Sequence, residues 1–156
     1  ASDVYKRQIG DWAALRAPLV AVVGTRHATD YGIRVTTQLV QSLALAGVGI
    51  VSGLARGIDA AAHRAALAVG GRTIAVLGTG VDVPYPAGHR ALHEQIAATG
   101  LVVSEVANGT KAFPGCFPKR NRIIAGLVPV TVVVEAGLKS GAQNTARCAL
   151  DLGRMV

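Results

Sequence analysis

Five apolar runs constrain this chain more than anything else in it: PLVAVVG (18–24), VGIVSG (48–53), RTIAVLGTG (72–80), LVVSEV (101–106) and PVTVVVEA (129–136). Runs so continuously β-branched, with no polar alternation, are strands covered on both faces, as in a parallel sheet. Helical stretches lie between them. Asp30 stands in a capping position ahead of Ile33, Val35, Leu39, Val40, Leu43 and Leu45, and Gly47 follows as a stop. An alanine-rich helix is expected over 58–69 before Gly70 and Gly71, with further helices over 88–98, 120–127 and 141–152. Strands alternating with helices predict an α/β fold: a mostly parallel sheet with helices on both faces. Ligands of such sheets sit beyond the carboxyl ends of the strands. There this sequence collects its glycines and charges, in GTR, SGLARG, GTG and EAGLKSG.

Length and composition allow one domain with a sizeable core, since 51% of the 156 residues are hydrophobic. Aromatic residues are only 4%, so that core is aliphatic. Sixteen Lys and Arg against nine Asp and Glu leave a net charge of +7, which favours an anionic partner, nucleic acid or phosphate. Cys116 and Cys148 are too few for a disulfide framework and form no CxxC pair. Without a signal peptide or a long apolar span, the expected location is the cytoplasm, with no membrane partner. The opening ASDVYKRQ (1–8) has no apolar period and reads as a disordered or foreign start, leaving 9–156 as the domain. The chain stops at GRMV directly after a helical pattern, where another strand could follow, and so reads as a fragment.

The dinucleotide fingerprint GxGxxG is absent after the first strand, where the sequence runs GTRHATDYG, and no GxxxxGK[ST] occurs. GTG at 78–80 alone indicates a tight turn. SGLARGID is more informative. Ser52, Gly53 and Gly57 let backbone N–H groups approach an anion at a helix start, and Arg56 can add a bidentate contact. Arg56 alternatively pairs with Asp59, which reads as a cap or an arginine-orienting carboxylate rather than a general base. KRNR (119–122) is either a solvated helix face or a clamp on a nucleic-acid backbone. Phe113 and Phe117 in the preceding loop either stack on bases or plug the loop onto the core. Ser140, Gly141 and Thr145 repeat the small-residue pattern after the fifth strand. His89 and His93, four apart on a helix, lack a third ligand other than Glu94 and read as surface histidines. Ser52 lacks the GxSxG elbow and Cys148 falls mid-helix, so no catalytic residue, metal or cofactor is indicated.

Together GTR, SGLARGIDAAAHRAAL, TIAVLGTGVDVPYP, FPKRNRIIAGL, VVVEA and SGAQNTARCALDLGR resemble the DprA/Smf family of DNA-processing proteins, from about residue 18 onward. The resemblance implies an extended Rossmann-like fold that binds single-stranded DNA as a homodimer. It also implies a role in natural transformation, protecting incoming strands and helping to load the RecA recombinase, with no established catalytic activity. Carried onto this chain, the anion site would comprise Arg26, Ser52, Gly53, Arg56, Gly57, Gly78, Gly80, Lys119, Arg120, Asn121, Arg122, Ser140 and Gly141. The chain departs from the family where SGAQNTA replaces the frequent SGSLITA, so that Ala142 lacks a hydroxyl while Gln143 and Asn144 replace apolar residues. A following VPG segment and the winged-helix-like domain of many members are also absent, and dimerisation would be weakened with them. Two other classes remain. A nucleoside-monophosphate phosphoribohydrolase would carry PGGxGTxxE, whereas Glu135 precedes the glycine-rich turn here. A sensor for a small nucleotide would use the same anion pocket.

Overall fold

The computed structural model of the chain describes residues 7–156. Its sheet contains β1 (Gln8–Gly10), β2 (Leu19–Gly24), β3 (Gly49–Ser52), β4 (Thr73–Leu77), β5 (Leu101–Ser104) and β6 (Val130–Val134) in the order β1-β5-β4-β3-β2-β6. All neighbours are parallel except β1, which runs antiparallel to β5. The helices are α1 (Asp30–Leu45), α2 (Ile58–Ala68), α3 (Arg90–Thr99), α4 (Cys116–Leu127) and α5 (Gly141–Asp151). This is the α/β architecture expected from the five apolar runs, and it is Rossmann-like, as the resemblance implied.

Alternate residues of each strand go to opposite faces, and both faces are buried, which is why the runs lack polar alternation. Ala21, Val23, Val51, Ile74, Val76, Leu101 and Val103 pack with Ile123, Ile124 and Ala142 of α4 and α5. Val22 and Ile50 pack with Val40 of α1 and with Ile58, Ala62 and Ala66 of α2. Ala75, Leu77 and Val102 meet Leu92 and Ile96 of α3. No helix among the described residues is long and apolar enough to cross a membrane.

Several boundaries differ from the sequence expectation. Thr29, not Asp30, caps α1, its side chain accepting from Gly32 N–H. α4 begins at Cys116, four residues early, because Pro118 falls in the first helical turn, where no N–H is needed. β1 was unforeseen. Gln8 lies opposite Val103 in the sheet, and the carbonyl of the preceding Arg7 accepts from Ser104 N–H at 3.1 Å, so Gln8 of the presumed start belongs to the sheet. The rest of that start, residues 1–6, lies outside the described residues.

The strand order places the site. Successive strands step from β2 out to β5, and β6 then returns to the other side of β2. A crevice opens at such a reversal, here between the loops after β2 and β6.

Candidate nucleic-acid interface

SGLARGID forms a turn whose polar atoms are mostly consumed internally. Ser52 is buried and donates its hydroxyl to the Val22 carbonyl at 2.7 Å, tying β3 to β2. Gly53 donates its N–H to Asp59 Oδ2 at 3.0 Å, and its carbonyl accepts from Arg120 Nη1 at 2.9 Å. Asp59 and Arg120 therefore face each other across one peptide. Burial pushes the Asp59 carboxyl upward, opposed by the Arg120 guanidinium and by the N–H groups of Gly53, Ala55 and Gly24. Burial likewise pulls Arg120 down, opposed chiefly by Asp59. Arg120 from α4, not Arg56, is thus the cation whose charge opposes the burial of Asp59, and Arg56 is left exposed. Gly57 caps α2 at φ +78°, a left-handed conformation, and any Cβ there would overlap the Thr25 carbonyl.

A cavity of about 400 Å³ lies at the β2/β6 reversal. Its walls are Gly24, Thr25, Arg26 and His27 after β2, Asp59, Arg120 and Asn121 from α2 and α4, and Lys139, Ser140 and Gly141 leading into α5. A smaller crevice beside it brings Arg26, Gly53 and Arg56 against Tyr85 and Phe117. Phe117 stacks on Tyr85 with centroids 5.1 Å apart, and the guanidinium groups of Arg26 and Arg120 lie 5.6 and 5.4 Å from its ring centre. It acts as a wall of the crevice, whereas Phe113 is exposed in the loop.

The residues of the expected site divide into two groups. Arg26, Gly53, Arg56, Arg120, Asn121, Ser140 and Gly141 line the two hollows. Arg120 and Asn121 nevertheless spend donors on protein. Arg120 Nη1 also reaches the Val76 carbonyl at 2.7 Å, its Nε reaches Asn121 Oδ1, and Asn121 Nδ2 reaches the Gly141 carbonyl and Asn144 Oδ1. Ser52, Gly57, Gly78, Gly80, Lys119 and Arg122 do not line them. Gly78 makes room for Phe117, whose Cδ1 would lie 2.9 Å from an added Cβ, and Gly80 N–H donates to Thr110 O in a turn. Arg122 pairs with Glu105 on the other side of α4, and Lys119 is exposed. Among the described residues, the side chains of Arg56, Lys119 and Lys139 make no hydrogen bond or ion pair. Ser140 Oγ is enclosed and unpartnered, and the Ser140 side chain forms no cap bond on α5.

Comparison with known proteins decides the family. The sequence profile of the DNA recombination-mediator protein A family matches residues 5–156. The chain belongs to this family. Protein Smf of Synechocystis is 55% identical over 139 residues, covering 89% of this chain and 35% of the relative. The structure of DNA processing protein A (DprA) from Streptococcus pneumoniae superposes with a TM-score of 0.90 at 43% identity, covering 98% of this chain and 56% of that one. DNA processing protein A from Helicobacter pylori, solved for its single-stranded DNA binding mode, gives a TM-score of 0.89 at 35% identity over 95% of this chain. The chain thus spans between 35% and 56% of the length of curated relatives it matches.

Two features of this family member were misread or missed in sequence. The surface reading of the histidines is corrected: His93 is buried with Nε2 donating to the Val81 carbonyl at 2.8 Å, and half-buried His89 donates from Nδ1 to the Leu54 carbonyl at 2.9 Å. Their i,i+4 spacing looked like a helix face, but His89 precedes α3 in a 3₁₀ turn. No group of three His, Cys, Asp or Glu residues among the described residues is placed to hold a metal ion. His27 and Lys139 were missed as cavity walls although both stand in quoted motifs, next to Arg26 and Ser140. Glu135 has a distinct task. Its Oε1 accepts from Thr29 N–H at 3.0 Å and its Oε2 from the Thr29 hydroxyl at 2.5 Å, pinning the start of α1 to the end of β6.

Proposed function

We propose that this chain is the single-stranded DNA-binding part of a protein acting in DNA uptake and homologous recombination, without catalytic activity. The observation that carries the reading is the β2/β6 crevice, where the uncapped amino end of α5 and the unpartnered Ser140 Oγ meet Arg26 and Lys139. A helix start, a free hydroxyl and cations without carboxylate partners together suit a phosphate. Arg56 and Lys119 extend the positive surface along the same edge of the sheet, as a strand of linked phosphates requires. The half-exposed Tyr85 and Phe113 supply faces on which unpaired bases stack. Arg120, Asn121, Ser52, Gly53, Gly57, Gly78 and Gly80 support the site by shaping it. In the full-length protein this domain would work as a cytoplasmic homodimer that protects incoming strands and assists RecA loading. A phosphoribohydrolase reading finds less support, because Glu135 spends both oxygens on Thr29.

Anisotropy titration of labelled single-stranded and duplex DNA over a salt series, run beside an assay of nucleoside-monophosphate hydrolysis, tests this. Expected are preference for single strands, little sequence dependence, no hydrolysis, and a log–log salt slope of roughly −0.7 per phosphate contact. Salt-insensitive binding, or none at low salt, would overturn the reading.

A further inference from the structure

Leu54 is fully buried and holds φ +60°, a left-handed backbone rarely adopted by a non-glycine residue. Two imidazoles grip its backbone. Leu54 N–H donates to His63 Nε2 at 3.2 Å, and the Leu54 carbonyl accepts from His89 Nδ1 at 2.9 Å. The direction of the first bond follows from its neighbours. The Ile50 carbonyl can only accept, so the Thr73 hydroxyl, 3.0 Å away, donates to it. Thr73 Oγ1 then accepts from His63 Nδ1–H at 2.6 Å, which leaves Nε2 bare for Leu54. Burial foremost, then the neighbouring His89, Arg120 and Arg64, lowers the His63 pKa to about 3, so the acceptor persists at neutral pH. Two residues beyond Leu54, Arg56 emerges with no side-chain anchor, and only its backbone sets where it points.

We propose that His63 and His89 are positioning residues for DNA binding: by clamping the Leu54 peptide groups they hold the 54–57 turn so that Arg56 projects over the Phe117 crevice. This rests on the single-stranded DNA reading above. Neither histidine lines the cavity or the crevice, so both act at a distance through the backbone.

The test uses H89F and H89N in the 156-residue chain, each with and without R56A, titrated against a labelled single strand. H89F is expected to weaken binding about tenfold, on the order of one charge-assisted contact, as R56A does. The double variant H89F/R56A is expected to bind no worse than R56A, whereas H89F/K139A shows both losses multiplied. H89N, whose amide Nδ2 replaces the Nδ1–H donor, is expected to recover most of the affinity. If H89F does not fold, H89Q takes its place with the same expected loss. Nitrogen-15 NMR of the parent is expected to show His63 protonated at Nδ1 and bare at Nε2. Parent-like binding by H89F, or a loss that multiplies with that of R56A, overturns the proposal alone. Failure of the parent to bind single strands overturns it together with the reading beneath it.

Discussion

Gly53 carries its N–H on Asp59 and its carbonyl on Arg120, and has no room for a side chain between them. An added Cβ would lie 2.7 Å from Arg120 Nη1 and 2.9 Å from Asp59 Oδ2. G53A is therefore expected to lower stability by about 1–3 kcal/mol, the usual scale of forced overpacking, read as a lower urea midpoint. R120M is expected to be worse, at about 2–4 kcal/mol, because it leaves the buried Gly53 and Val76 carbonyls without their donor and removes the cation that opposes the burial of Asp59. Adding D59N should recover part of that loss, while R56A should leave the midpoint near the parent's. That contrast separates the arginine that supports the turn from the one it presents. In sequence the two are indistinguishable, and Arg56, three residues from Asp59, was the closer partner.

At the scale of elements, Glu135 links the end of β6 to the start of α1, and Gly32 permits it by lacking a Cβ that would overlap Glu135 Oε1. E135A removes both bonds to Thr29. It is expected to lower stability by about 1 kcal/mol, as loss of a helix cap does, and to speed amide exchange in the first turn of α1. Parent-like exchange there would show that Thr29 alone holds the cap. KRNR illustrates how one helix splits a motif. Its i to i+3 geometry turns Arg120 inward, leaves Lys119 in solvent, and sends Arg122 to Glu105. K139A is accordingly expected to flatten the salt dependence of single-strand binding by about 0.7. R122A is expected to leave the slope close to the parent's. Equal slope changes in the two titrations would return the DNA path to the outer face of α4.

Over the whole molecule, His63 makes stability depend on pH. Its folded pKa of about 3 lies below the ordinary value of 6.5, so between these values the unfolded chain binds a proton that the fold does not. The stabilising contribution is complete above pH 6.5 and declines as pH falls toward 3, by up to about 1.4 kcal/mol per pH unit. Urea unfolding of the parent at pH 7 and pH 5 should therefore show a lower midpoint at pH 5. H63Q, which keeps an acceptor but does not titrate, should show a smaller drop. An equal drop in both would assign the acid sensitivity to carboxylates instead.

Hydrophobic period and glycine spacing are local properties, and they sufficed for the five core strands, the five helices and the edge that bears the site. A run such as TIAVL is apolar on both faces only if both are covered, so the architecture was legible from it. β1 was not, because three residues QIG carry no period and form a strand only against the free edge of β5. The SGLARGID, KRNR and SGAQ motifs were legible as small and basic clusters, and residues of all three line the two hollows. What each residue does depended on contacts across 30 to 106 positions of chain: Ser52 on Val22, Arg120 on Gly53, Glu135 on Thr29. A buried charge needs a satisfied partner and a solvated one does not, so burial divides chemically identical side chains into supports and ligands. Sequence determined which residue types reach the crevice, and tertiary packing decided which of their donors remain free.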